Sequence, residues 1–218
     1  MNKVDFKTQQ KDLYLPKNVP TFITVPSMSF IMVDGKGNPN DSEGEYKPAV
    51  ELLYALSYTI KMSIKNNYTP EGYYDYVVAP LEGLWWMNNS TDKDYQQKDK
   101  YCWTSLIRQP EFVTQEVFTW AQSQVKIKKP ELDVTKARLE TFNEGLCVQV
   151  MHLGPYDEEP KTIAKIDAFL IEHDFLNDVG SMLPDGSFRK HHEIYLSNPI
   201  KTKPESMKTI LRHPVRPR

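Results

Sequence analysis

One pattern occurs twice along this chain: two short strands, a loop with glycine and proline, an amphipathic helix, then two further strands. In the first copy, residues 21–25 and 29–33 are rich in β-branched and aromatic side chains. They flank Pro26-Ser27-Met28, a break suited to a hairpin. In the second copy, residues 137–142 and 146–150 flank Asn143-Glu144-Gly145, where glycine can supply the positive φ of a tight turn. The next loops are Gly35-Lys36-Gly37-Asn38-Pro39 and Gly154-Pro155-Tyr156. Ala49, Leu52, Leu53, Leu56 and Ile60 then recur at helical spacing. Ile163, Ile166, Phe169 and Leu170 do the same after Pro160, which a first helical turn tolerates. Residues 76–81 and 101–107 read as the closing strands of the first copy, residues 192–196 and 207–211 as those of the second. Between the copies, Val113, Val117, Trp120 and Ala121 predict a linking helix that ends at the lysines of residues 126–129 and at Pro130.

Strand-strand-helix-strand-strand written twice predicts an α+β protein of pseudo-two-fold symmetry. Its antiparallel sheets would carry helices on one side and leave a central ligand groove. The expected boundaries are an N-terminal extension at 1–18 and a single domain at 19–213. Within the domain fall a first repeat at 19–108, a linking helix at 111–129 and a second repeat at 137–213. A length of 218 residues suits that plan, and 39% hydrophobic and 11% aromatic side chains are enough for a packed interior. The net charge of -2 offers no broad field for nucleic acid. The basic residues near the end, Lys201, Lys203, Lys208, Arg212, Arg216 and Arg218, fit a solvated edge strand and terminus. The N-terminus has no apolar signal core, and no apolar run is long enough to span a bilayer. Cys102 and Cys147 each fall in a predicted strand without CxxC spacing and read as buried, reduced thiols. A cytoplasmic protein without membrane contact is the expectation.

Two acids stand out against this framework. Glu193 lies in the predicted strand His191-His192-Glu193-Ile194-Tyr195-Leu196, and Glu82 precedes Gly83-Leu84-Trp85-Trp86. A carboxylate in such a strand is costly unless it faces water, finds a partner or performs a task. Trp85, Trp86, Trp103, Tyr46 and Tyr195 are candidate walls of a pocket for a flat, largely apolar molecule, and their ring faces would attract a cationic one further. Neighbours on a strand face opposite sides, so one of Trp85 and Trp86 lines a given pocket, with Trp85 favoured. Glu82 reads equally as a second acid, a counter-charge or an exposed turn residue. The plain alternative for Glu193 is a surface pair with Arg189 or Lys190. His191 and His192 are adjacent rather than spaced as ligands on a helix, and the cysteines offer no ligand pairing, so neither metal nor other cofactor is expected.

Gly154-Pro155-Tyr156 after a strand, a helix beginning near Pro160, and His192-Glu193-Ile194-Tyr195 together resemble the GyrI-like small-molecule-binding family. Pro80-Leu81-Glu82-Gly83-Leu84-Trp85-Trp86 resembles its free-standing branch, and the likeness covers about residues 19–213. The resemblance implies a two-fold repeat whose groove takes planar, often cationic, aromatic compounds. In regulator members the domain follows a helix-turn-helix. Here about twenty polar residues precede the first strand, too few for that module, so direct DNA binding is not expected. Members resembling this chain include hydrolases that use water to open the strained cyclopropane of DNA-alkylating natural products, an activity of detoxification and drug resistance. On that reading Glu193 is the base and Tyr156 the donor to the oxygen that gains charge, without a cofactor. The alternative is a non-catalytic binder that sequesters hydrophobic aromatic cations, with Glu193 and Glu82 as counter-charges. Relatives that act on gyrase suggest a protein partner, for which no surface patch is evident here.

Overall fold

The computed structural model describes residues 3–87, 97–184 and 186–218. Helices α1 (Phe6–Gln9) and α2 (Lys11–Tyr14) precede strands β1 (Thr21–Val25) and β2 (Met28–Lys36). Helix α3 (Tyr46–Lys61) leads to β3 (Leu81–Met87) and β4 (Tyr101–Arg108), and α4 (Gln115–Lys128) to β5 (Ala137–Phe142) and β6 (Gly145–Leu153). The chain ends with α5 (Glu159–Glu172), β7 (Phe175–Asn177), β8 (His191–Tyr195) and β9 (Lys208–Pro217).

Neither expected hairpin forms. β1 pairs antiparallel with β6, and β2 with β5, so each short connection carries the chain onward instead of reversing it. A two-residue hairpin needs positive φ in its turn, which Pro26 cannot adopt. In the second connection the positive φ falls on Gly145, already the first residue of β6 (φ 73°). The strand expected at 76–81 is displaced to β3, and Tyr76 keeps a single bridge to Val4. Pro80 has no N–H to give a ladder, so pairing starts after it. The basic tail is a second departure: Arg212 and His213 lie in the long strand β9 and are buried.

The described residues form two compact units, bounded as follows. The first gathers Met1–Gln9, Met28–Leu81 and Met87–Phe142; the second gathers Gln10–Ser27, Glu82–Trp86 and Asn143–Arg218. In the first, β2 lies between β4 and β5. The stripe Ala49, Leu52, Leu53, Leu56 and Ile60 of α3 is buried against this sheet, and α4 packs on α3 with Val117, Phe118, Ala121 and Val125 inward. The Thr114 hydroxyl caps α4 by accepting from the Val117 N–H. Trp120 leaves the apolar stripe and stacks on Tyr68, ring centres 4.4 Å apart.

In the second unit the strand order is β1-β6-β9-β8-β3, with β7 paired to the end of β9. Residues directly opposite on paired strands share a face. Val148, Val150, Leu211 and Val215 form one face, which α5 covers with Ile166 and Leu170. Gln149, Arg212 and His192 lie in register across β6, β9 and β8 and form the other. Cys147 is a buried free thiol, and burial pushes its pKa up. Among the described residues no helix is long and apolar enough to cross a membrane.

Candidate functional site

Period-two alternation on β8 sends His191, Glu193 and Tyr195 to one face and His192 and Ile194 to the other. Glu193 sits opposite Leu211, which packs against α5, so its carboxylate belongs to the α5 face. The loop that brings α5 to this place is Gly154-Pro155-Tyr156. Gly154 has φ 127°, a conformation side chains rarely adopt, and His152 ties the loop to the start of α5. Its Nε2–H donates to the Pro155 carbonyl at 3.1 Å, and its Nδ1 accepts from the Thr162 hydroxyl at 2.8 Å. Tyr156 thereby meets Tyr195 edge-on, ring centres 5.8 Å apart. The Trp85 indole N–H donates to the Tyr195 oxygen at 2.9 Å. Gly83 leaves room for that pair, since a Cβ there would come within 2.6 Å of the Trp85 nitrogen and 2.9 Å of the Tyr195 oxygen.

The first turn of α5 adds an acid that the pattern of strands did not bring forward. Glu159 is 7% exposed, and its Oε1 has no hydrogen-bond partner among the described residues. Oxygens of Glu159 and Glu193 and a ring nitrogen of His191 lie within 4.8 Å of one another. Burial first, then the Glu193 carboxylate, raise the Glu159 pKa well above the ordinary carboxylate range. A helix N-terminus favours a negative charge by up to about 2 kcal/mol. Desolvation and a like charge outweigh that here, so the Glu159 carboxyl keeps its proton more readily than an ordinary carboxyl. Burial, then Glu193 and Glu159, push the Tyr156 phenol up to about 12, which keeps it a donor although it is 36% exposed. His191 contacts Glu193 through Nε2 at 3.0 Å and His213 through Nδ1 at 2.6 Å. The trio is compact enough for a divalent cation. His191 Nε2, however, is already paired with Glu193 and Nδ1 with His213, and we read the trio as a proton-handling group.

The opposite face holds a closed ionic cluster. His192 bridges Glu82 at 2.9 Å and Glu144 at 3.1 Å, and Arg212 donates to Glu144 at 3.2 Å, to Gln149 and to the Leu13 carbonyl. The Tyr14 hydroxyl lies 3.4 Å from Glu82. Burial opposes the imidazolium, yet Glu144 and Glu82 raise His192 to about 9. Burial likewise opposes the Glu144 charge, and His192 with Arg212 bring its carboxyl down to about 2. Two anions and two cations thus offset one another away from solvent.

The structure therefore brings Glu193, Tyr156, Tyr195 and Trp85 together. Glu82, 1% exposed, is instead a partner of His192 on the other face. Trp86 lies under the Lys190 ammonium at 4.0 Å, and Arg189 pairs with Asp178. Trp103 and Tyr46 belong to the first unit, where Trp103 is fully buried. It meets Tyr46 edge-on at 5.1 Å and lies so close to Gly35 that a Cβ there would come within 2.2 Å of its ring. Glu159, His191 and His213 were missed from the sequence. Alternation could have placed His191 beside Glu193, whereas nothing local ties Glu159 or His213 to that strand.

A family model described as GyrI-like, small molecule binding domain, matches residues 19–216. An uncharacterized conserved protein from Listeria innocua is 48% identical, covers 98% of this chain and 100% of its own, and superposes with a TM-score of 0.90. A hydrolase from Listeria innocua and a hydrolase encoded by lin2189 from Listeria innocua are each 47% identical. They cover 98% and 99% of this chain and 100% of their own, with TM-scores of 0.87 and 0.88. The C-terminal domain of EcmrR, 12% identical, covers 91% of this chain and 98% of its own with a TM-score of 0.51, a likeness of fold alone. No curated protein matches the chain.

Proposed function

The chain belongs to the GyrI-like small-molecule-binding family, and from that premise we propose that it binds planar aromatic molecules beside Tyr156, Tyr195 and Trp85 and adds water to a strained cyclopropane that they carry. The observation that carries this reading is the meeting of Glu193 with Glu159, a buried acid whose pKa its surroundings raise, next to a phenol held in its donor form. The 47% identity to the Listeria innocua hydrolases supports hydrolysis as the reaction type.

A cyclopropane fused to a conjugated dienone is attacked at its methylene carbon. Glu193 takes a proton from water as the new C–O bond forms. The ring C–C bond breaks, and its electron pair passes through the dienone to the carbonyl oxygen. Tyr156 hydrogen-bonds that oxygen as it gains charge. A proton from solvent completes the phenol and Glu193 gives its own proton back, so the net change is one water added. Glu159, whose pKa burial and Glu193 raise, is the weaker rival for the water's proton and leaves that task to Glu193. Acid–base assistance of this kind contributes roughly 10²–10⁴-fold.

The test is mass spectrometry of a cyclopropanoid DNA alkylator incubated with the protein and with Glu193→Gln. A gain of one water with wild type alone supports the assignment. Binding of the compound with no gain by either protein would sink hydrolysis and favour the second reading, a sequestering site in which Glu193 is the counter-charge for an aromatic cation.

A further inference from the structure

Behind Glu193 runs a chain of hydrogen bonds whose direction is set at its far end. The Asn177 side-chain oxygen accepts from the Val179 N–H at 3.2 Å, which fixes the orientation of the amide. Its Nδ2 therefore points two N–H bonds away from that contact, one to the Asp167 carboxylate at 3.1 Å and one to His213 Nδ1 at 3.0 Å. A nitrogen that receives an N–H must present a lone pair, so the His213 proton sits on Nε2. That Nε2–H donates to His191 Nδ1 at 2.6 Å, which places the His191 proton on Nε2 in turn. The last link is the His191 Nε2–H to Glu193 Oε1, 3.0 Å. Burial, and then His191, lower the His213 pKa well below its ordinary value, in keeping with a single ring proton.

We propose that Asn177 is a positioning residue: through His213 and His191 it sets the polarity of the final hydrogen bond so that Glu193 receives an N–H and acts as the base of the Glu159–Glu193 pair. This rests on the hydrolytic reading for its consequence in turnover, but the polarity itself exists without substrate. Two like carboxyls at this distance share one proton, and which of them keeps it decides which is base and which is acid. An N–H aimed at Glu193 stabilises the charged form there and leaves the proton on Glu159. Were the chain reversed, His191 Nε2 would offer a lone pair to Glu193 and the proton would move to that carboxyl. Reversal requires an acceptor at position 177, since an amide nitrogen cannot face an imidazole N–H.

The decisive variant is the double exchange Asp167→Asn with Asn177→Asp. It keeps a hydrogen bond between the two positions and the acceptor for Val179, while presenting an oxygen to His213. Both positions are exposed, and a thermal unfolding transition close to that of the wild type is the control that the fold survives. Imidazole ¹⁵N spectra of the wild type at pH 7 are expected to show His213 and His191 protonated on Nε2 alone. Carboxyl ¹³C signals are expected to show Glu159 protonated and Glu193 charged. In the exchange variant His213 should gain an Nδ1 proton, the carboxyl signals of Glu159 and Glu193 should move towards one another or swap, and kcat should fall at least about tenfold with KM little changed. A wild-type His213 or His191 protonated on Nδ1 would overturn the proposal. So would an exchange variant whose tautomers invert while the carboxyl signals stay in place, or zinc ligation of His191 through Nε2 in the wild type. If no cyclopropanoid is turned over, the hydrolytic reading fails, and the spectra alone still decide the polarity.

Discussion

Raising the pH from 6.5 to 8.5 is expected to cost this protein a large part of its stability through one buried side chain, His192. Its imidazolium sits between Glu82 and Glu144, out of water, with a pKa raised from 6.5 to about 9. A shift of that size corresponds to about 3 kcal/mol, at ~1.4 kcal/mol per pH unit. The folded pKa lies above the unfolded one. The stabilisation is therefore complete below pH 6.5 and disappears as the pH climbs through about 9. Native domains are stable by only about 5–15 kcal/mol, so the change is readily measured. His213 acts weakly in the opposite sense: its folded pKa is depressed, so stability rises by about 0.4 kcal/mol as the unfolded residue loses its remaining proton between pH 6.5 and 7.5. Cys147, whose thiol is pushed up by burial, would act in the same direction as His192 only above its ordinary range, which sets the upper limit of the window. Urea unfolding followed by Trp fluorescence at pH 6.5, 7.5 and 8.5 should show a loss of about 2–3 kcal/mol in the wild type. His192→Gln, less stable throughout, should lack that slope. A wild type whose stability is level across the window, or a His192→Gln variant that falls as steeply, would refute the placement of the charge.

On the acid side, Glu144 should release on the order of 3 kcal/mol of stabilisation as the pH falls from 4.5 through about 2, and Glu144→Gln should remove that acid transition from denaturation curves. Glu159→Gln should stabilise the fold at pH 7 by about 0.5–2 kcal/mol, a gain that vanishes near pH 4, where the carboxyl is protonated in the unfolded chain as well; a loss of stability at pH 7 would count against a raised Glu159. Gly83→Ala should drive a methyl into the Trp85–Tyr195 hydrogen bond and cost about 1–3 kcal/mol, with a shift in Trp85 fluorescence that a harmless substitution would not produce. Tyr156→Phe should leave the binding of a planar ligand within about threefold while lowering its turnover at least tenfold, measured as product mass against time.

Much of this protein is written in local periodicities. The stripes of α3 and α5 bury the residues that helical spacing marks, Leu53 and Ile166 among them, because a surface helix must hide one face. Alternation along β8 is equally local, and it is enough to set Glu193, His191 and Tyr195 on a common side. Partner choice is another matter. Residues 21–25 and 29–33 look like a hairpin, yet each pairs with a strand more than a hundred residues away, once Pro26 denies the turn its positive φ. Glu82 and Glu193 occupy similar-looking places in two strands, and only register and face separate a sealed partner of His192 from an acid of the candidate site. Glu159 and His213 come to Glu193 from a helix end and the last strand, and their protonation is set by burial and neighbours that no short stretch of sequence contains. Elements and their buried faces thus come from the order of side chains along the chain. The acid–base pair comes from desolvation and from charges brought together across space, terms that do not exist until the chain has folded.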